Sequence, residues 1–332
     1  MRLLPLAIVA SALLLPSCQS SRQVQADVLA VDVQPLEADQ TCFRSLFRHQ
    51  AERPAGSALL EVVDVSSKGY VLAGDMVPAP PNGTFRLMYD VTLLNESGEP
   101  ISSLLPARVQ DARFSPDGQS IAVLDASNAL SVVELSPPRK RDIATQVFPG
   151  FAFSPDGSFL AYSSGSIPEL DAYLFDLSSE TSRQLTSADV PTWGFAFSSD
   201  GRSLAFVYSP HGFPSLYTLG LDAAPGVEPS LWTNAGVSSD FARKGGEIAP
   251  IPDSRKPPLW LSDALVFESG DGIYDIGSDG ALVLERGGAS GMFLAGKDEI
   301  HFLAGDRAWS AKVGAAKTTS AKTGPAKAGT SR

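Results

Sequence analysis

Three stretches decide the reading: Ala112-Arg-Phe-Ser-Pro-Asp-Gly-Gln-Ser-Ile-Ala-Val123, Ala152-Phe-Ser-Pro-Asp-Gly-Ser-Phe-Leu-Ala-Tyr162 and Ala196-Phe-Ser-Ser-Asp-Gly-Arg-Ser-Leu-Ala-Phe206. In the first, Ser115 opens a turn, Pro116 pre-sets φ at its second position, and Asp117 suits the third. Gly118 can then take the left-handed conformation that closes a hairpin. Ser154, Pro155, Asp156 and Gly157 repeat the device. Ser198, Asp200 and Gly201 repeat it again, with Ser199 in the proline's place, which a type I turn tolerates. After the first turn Ile121 and Val123 fall on one face of a strand, and Ala122 and Leu124 on the other. Because Asp117, Asp156 and Asp200 hold one place in one turn, local hydrogen bonding explains them; a calcium or catalytic role is the alternative.

The phenylalanines before these turns stand at 114, 153 and 197, steps of 39 and 44 residues. A period of roughly 40–50 residues is the size of one four-stranded propeller blade. Second strand pairs lie between the hairpins, such as Asp171–Leu177 with Arg183–Thr186 and Ser215–Leu221 with Ser230–Thr233. Leu87–Leu94 precedes the first copy, while Ala264–Ser269, Gly272–Ile276, Ala281–Glu285, Glu299–Ala304 and Arg307–Ala311 continue after the last with degenerate turns. The phenylalanine–Ser-Pro-Asp-Gly element, its small apolar strand and the Leu-Tyr and Leu-Thr strands that follow resemble the PD40 (WD40-like) β-propeller repeats of the TolB family. The expected fold is therefore all-β, a propeller of about six four-stranded blades over residues 56–313, with five or seven open. TolB-like proteins carry an α/β domain before the propeller. Here residues 18–55 are too few for one, and read as a tether with a short helix or strand around Thr41–His49.

Residues 1–17 read as an export signal, with Arg2 ahead of the apolar run Leu3–Leu15, which is too short to span a bilayer. Leu15-Pro16-Ser17-Cys18 resembles the lipobox of bacterial lipoproteins. That resemblance implies cleavage before Cys18 and acyl chains on it, a durable anchor where one chain would be marginal. Gln19 resembles the outer-membrane sorting pattern. The alternative is an ordinary secretory signal cut after Val24-Gln25-Ala26. With Cys18 lipidated, Cys42 is left as a small buried hydrophobe beside Phe43 and Phe47, or as a reactive thiol. At the other end, residues 314–332 carry Lys317, Lys322 and Lys327, in register with Lys312 at every fifth residue, among Ala, Thr, Gly and Ser. No core can form from that composition, so a disordered tail is expected. Anionic lipid, lipopolysaccharide or the chain's own acidic body could contact it; a solvated end is the plain alternative.

The 332 residues hold 37 acidic against 26 basic side chains, a formal charge of -11, which argues against nucleic acid or an anionic membrane surface as the main partner. His49, His211 and His301 lack zinc-ligand spacing, and no phosphate loop or Gly-x-Ser-x-Gly elbow occurs. No cofactor and no metal are expected. Arg139-Lys140-Arg141 reads as a solvated turn. The tryptophans default to blade packing. Trp193, with His211 and Phe213 in the loop before Ser215, is a candidate binding rim, and Asp240–Pro258 is the longest irregular insertion. These features favour a monomeric, non-catalytic outer-membrane lipoprotein, periplasmic or surface-facing, whose propeller binds an envelope protein or glycan. The competing class is an enzyme with its site in the propeller funnel, such as a lyase or lactonase acting on a carbohydrate or small ester. A purely structural surface lipoprotein is the third.

Overall fold

The computed structural model describes residues 30–37, 41–55, 60–77, 88–101, 105–166, 169–187, 191–208, 215–223, 227–231, 258–261, 264–269, 272–275, 281–285, 289–294, 299–304 and 307–314. Among these the strands form six antiparallel four-stranded units. The first takes β2 (Glu61–Val65), β3 (Val71–Val77), β4 (Met88–Leu94) and β5 (Pro100–Ile101). The second takes β6 (Val109–Phe114), β7 (Ser120–Asp125), β8 (Leu130–Leu135) and β9 (Pro138–Ala144). The third is β10 (Val147–Phe153), β11 (Phe159–Ser166), β12 (Glu169–Asp176) and β13 (Thr181–Gln184). The fourth is β14 (Thr192–Phe197), β15 (Ser203–Tyr208), β16 (Ser215–Gly220) and β17 (Ser230–Leu231). The fifth is β18 (Leu259–Leu261), β19 (Ala264–Ser269), β20 (Gly272–Asp275) and β21 (Ala281–Glu285). The sixth joins β22 (Ala289–Leu294), β23 (Glu299–Ala304) and β24 (Arg307–Gly314) to β1 (Ala30–Leu36), from the other end of the chain. The first two units share one bridge, Tyr89 opposite Val109.

Successive units stack face to face, and the apolar side chains gather in the spaces between them. Strand alternation explains how one run of residues serves two spaces. On β7, Ile121 and Val123 join Val63, Leu72, Leu93 and Phe114 between blades one and two. Ala122 and Leu124 turn the other way, to Val147, Phe151 and Leu160 of blade three. Blades three and four meet through Leu174, Phe195, Phe197 and Phe206, and blades four and five through Ala205, Val207 and Leu265. Blades five and six meet through Leu261, Val266, Ile300 and Phe302. Leu303 and Ala308 of blade six then pack with Val62, Val71 and Leu94 of blade one, so the arrangement is a closed ring. A strand buried on both faces carries a continuous apolar run, which is why these segments lack a polar side. The first strands touch in sequence, β22 to β2, then to β6, β10, β14 and β18, and therefore line the axis.

β1 corrects the expected boundary. Residues 18–55 were read as a tether and the propeller as starting at 56, but Ala30 pairs with Gly314 and Leu36 with Ala308 across the last blade. Val31 and Val33 do alternate with Asp32 and Gln34, yet the partner strand lies at the far end of the chain, where no local turn signal points. The pairing covers an edge that β24 would otherwise present. The segment around Thr41–His49 is helical, α1 (Arg44–Glu52), and its Leu46, with Phe43 just ahead, is fully buried against blade one. Ser45 Oγ donates to the carbonyl of Gly69 at 2.6 Å, and Arg48 Nη1 to that of Glu96 at 3.1 Å. Cys42 packs in the same cluster, where burial pushes its thiol up to about 12. Arg139-Lys140-Arg141 is also corrected, from turn to strand. It lies on β9, where Arg141 pairs with Glu134 and Glu180 and donates to the carbonyl of Leu177 in the next blade at 2.7 Å.

Candidate functional site

The repeat turns have one construction. Gly118 N donates to Ser115 O, Gly157 N to Ser154 O and Gly201 N to Ser198 O, at 2.8, 2.9 and 2.8 Å. The three glycines have φ of +64°, +73° and +69°, a left-handed region where a Cβ is strained. Each serine hydroxyl donates to the aspartate two residues on, at 2.6 Å in all three, and accepts from the backbone N–H five residues on, at 2.9 Å. Each aspartate also accepts the N–H two residues beyond it, at 3.0 Å. The serine hydroxyl first, then these backbone donors, hold Asp117, Asp156 and Asp200 below the usual carboxylate range. Pro116 lies against Gly157 and Pro155 against Gly201, so the turns stack in a row at one end of the ring. Ser66-Ser67-Lys68-Gly69 extends the row, unnoticed in the sequence because it lacks both proline and aspartate and its hairpin closes one residue sooner, Ser66 N donating to Tyr70 O where Ser115 N donates to Ser120 O. Gly69 N donates to Ser66 O at 3.0 Å, and Ser67 Oγ to Pro116 O at 2.8 Å.

A second polar group lies on the first strands, and sequence reading missed it. The register of β2, β6, β10, β14 and β22 against their partners shifts within each strand. Such bulges re-aim backbone and side chains. At these kinks Asp64, on β2, accepts Phe114 N of the next blade at 2.6 Å, and Asp111, on β6, accepts Gly150 N of the one after at 3.0 Å. Arg113 pairs with Asp111 at 3.1 Å and donates to Val63 O at 3.1 Å. Side-chain exposure is 2% for Asp111 and 16% for Arg113. Asp64 keeps part of its surface open, yet protein surrounds its carboxyl closely enough that burial raises it to about 6 against the pull of Arg113. The visible signal was Asp111 and Arg113 on either side of Ala112, in a strand that also carries Gln110 between Val109 and Phe114.

This group stitches blades one, two and three together at the axis. Among the described residues no set of three or more His, Cys, Asp or Glu side chains converges on a point where a metal ion could sit. His301 sits instead on β23, where its Nε2 lies 3.3 Å from Glu299 Oε1.

Trp193 is on β14 and partly buried, packed with Val207, Leu216 and Leu265 and near Trp260 in the seam between blades four and five. His211, Phe213, most of the Asp240–Pro258 insertion and Cys18 lie outside the described residues. β15 and β16, which flank His211 and Phe213, meet at the end of the ring opposite the Ser-Pro-Asp-Gly turns, because hairpins alternate ends along an antiparallel blade. No helix among the described residues is long and apolar enough to cross a membrane.

No protein-family model matches this chain. Among solved structures it is similar to TolB from Acinetobacter baumannii, at 16% identity and a TM-score of 0.43, over 71% of this chain and 62% of that one. It is also similar to a gluconolactonase from Xanthomonas campestris, at 14% identity and a TM-score of 0.46, over 79% and 99% of the two chains. The Cps50 (Swd1) β-propeller domain of Myceliophteria thermophila gives 12% identity and a TM-score of 0.47, over 77% and 84%. The β-propeller itself is read from the six blades of this chain.

Proposed function

We propose that this chain is a non-catalytic, lipid-anchored scaffold of the bacterial envelope that docks an envelope protein on the loop end of its propeller. The observation that carries this reading is the engagement of the axial charges. Asp64 and Asp111 accept backbone N–H groups of neighbouring blades, and Arg113 is tied to Asp111 and Val63 O. Groups held in this way hold blades together, whereas a hydrolytic funnel needs carboxylates or imidazoles aimed at a substrate or an ion. The repeat aspartates are likewise engaged in their own turns. What remains for recognition is the rim of connections opposite those turns, carried on a rigid ring. The lipobox-like Leu15–Cys18 supports the anchor, and the repeat motif supports the envelope setting.

The test places a photo-crosslinking amino acid at Phe213 on the loop end, or at Gln119 on the turn end, of the chain expressed in its own envelope. One defined adduct at 213 and none at 119 is expected. In parallel, the purified chain is assayed on aldonolactones with calcium or zinc added, and no turnover above the uncatalysed rate is expected. Metal-dependent turnover would instead support the funnel enzyme, and equal adducts at both sites would remove the loop end as the docking surface.

A further inference from the structure

The seam between blades three and four carries an aromatic and acidic group that neither the repeat turns nor the axis uses. Tyr208 ends β15 at the loop end, and its ring meets that of Tyr217, on the next strand outward, edge to face at 5.1 Å. Tyr208 is 4% exposed, yet its hydroxyl makes no hydrogen bond among the described residues. Buried tyrosine hydroxyls normally find a partner. The two charges that act on this one are both negative: Glu228, ahead of β17, and Asp171, on β12 of blade three. Burial first, then Glu228, Tyr217 and Asp171, hold the phenol above the usual tyrosine range. Asp171 is positioned by neutral donors, Thr186 Oγ1 at 3.1 Å and Gln184 Nε2 at 3.0 Å, which fix a carboxylate without cancelling its charge. Exposed Glu228 forms no ion pair among the described residues. From residue 147 to 231 the basic side chains besides His211 are Arg183 and Arg202, and both are held at the opposite end. Arg202 belongs to the third repeat turn, and Arg183 Nη2 donates at 2.9 Å to the carbonyl of Leu221, whose own N–H donates to Arg202 O. Val227, 47% exposed, adds aliphatic surface beside Glu228.

We propose that this seam takes up the ammonium group of a lysine side chain of the docked partner, at Tyr208, Tyr217, Asp171 and Glu228. This rests on loop-end docking in the proposed function and names the group the partner contributes. An ammonium has three N–H donors and no acceptor, and it meets here a phenol oxygen and two carboxylates. The aromatic pair adds the attraction of a ring face for a cation. The lysine stem can lie along apolar surface such as Val227 while its charged head reaches the acids. The hairpin that Tyr208 enters and Ser215, its cross-strand partner, leaves is the one that carries His211 and Phe213, so the site adjoins the candidate rim.

The test titrates the purified chain, its tyrosine rings labelled with carbon-13, with the methylamide of α-acetyl-lysine. The same compound acetylated on its ε-amine keeps the stem and lacks the charge. Ring resonances are assigned to the two tyrosines with Tyr208→Phe and Tyr217→Phe. Both should shift saturably in the millimolar range with the charged probe and stay in place with the acetylated one. Glu228→Gln should weaken the probe by about fivefold, and Arg202→Gln, at the turn end, should leave it unchanged. No shift at either tyrosine, equal shifts with the acetylated probe, or an inert Glu228→Gln overturns the proposal. So does binding that appears only when Arg243, Lys244, Arg255 and Lys256 are all replaced by glutamine, which assigns the site to the chain's own insertion. In the envelope, the adduct at position 213 should fall at least about fivefold in the double variant Asp171→Asn with Glu228→Gln. An undiminished adduct overturns the lysine while docking stands. No adduct even in the unaltered chain overturns docking, and the partner as the source of the lysine, whatever the probe shows.

Discussion

Replacing Asp111 with alanine should be among the most damaging single changes in this chain. The side chain is 2% exposed, its Oδ2 takes the N–H of Gly150 in the next blade, and its Oδ1 faces Arg113. Removal orphans a buried N–H, worth about 1–3 kcal/mol. It also strips Arg113, 16% exposed, of its close counter-charge; breaking one side of a buried pair costs about 3–5 kcal/mol. The two losses overlap, because both are measured against the same vacated space, so about 3–5 kcal/mol is expected for the whole. Asp111→Asn retains an acceptor for Gly150 and should cost about 2 kcal/mol less than the alanine. The double change Asp111→Leu with Arg113→Met removes both charges together. It should be milder than Asp111→Ala alone, since replacing a buried pair by apolar groups is often near neutral. Urea unfolding of the four chains, followed by tryptophan fluorescence, gives the differences from the midpoints at a common slope. A loss under about 1 kcal/mol for Asp111→Ala, or a double variant at the sum of its parts, would refute the view that this charge pair holds the blades at the axis.

Asp64 sets a pH dependence of the opposite sense to ordinary carboxylates. Its pKa rises from 3.8 to about 6 on folding, so its contribution is full below about pH 4 and lost as pH climbs through 6. The change is worth at most about 3 kcal/mol. Wild-type melting temperature should therefore fall from pH 5 to 7.5 more steeply than that of Asp64→Asn; parallel profiles in calorimetry would reject the assignment. Gly157→Ala meets only Pro116 at 3.8 Å and has just its φ of +73° to bear, about 1–2 kcal/mol, whereas a Cβ on Gly165 would run into the carbonyl oxygen of Glu169. Gly165→Ala should exceed it by about 2 kcal/mol or more in denaturant midpoints, and similar values would contradict the β11–β12 contact. Deleting residues 30–36 from the mature chain leaves β24 without its partner. The product should lose cooperative unfolding or self-associate on a sizing column, and an unchanged midpoint would dismiss β1 as a closing strand.

The sequence by itself determined the unit and put its number at about six, with five and seven left open until the ring closed. Proline, aspartate and glycine in a tight turn have strong local preferences, and two-residue alternation marks strands without knowledge of their partners, so Ser115–Gly118 and its two copies could be placed from short-range physics. What depended on distance in the chain was not legible. β1 finds β24 only in the folded ring, across nearly the whole length of the chain, and nothing in Ala30–Leu36 points there. Asp64, Asp111 and Arg113 look like interruptions of apolar strands until bulges in the first strands turn them toward the N–H groups and carbonyls of the neighbouring blades. Trp193, which its sequence neighbours put on a rim, sits in the seam between blades four and five because Leu216 and Leu265 come to it from other strands. Local conformational preference wrote the blades into the sequence; the closure of the ring, and which charges face its axis, depended on contacts that exist only once six blades have packed.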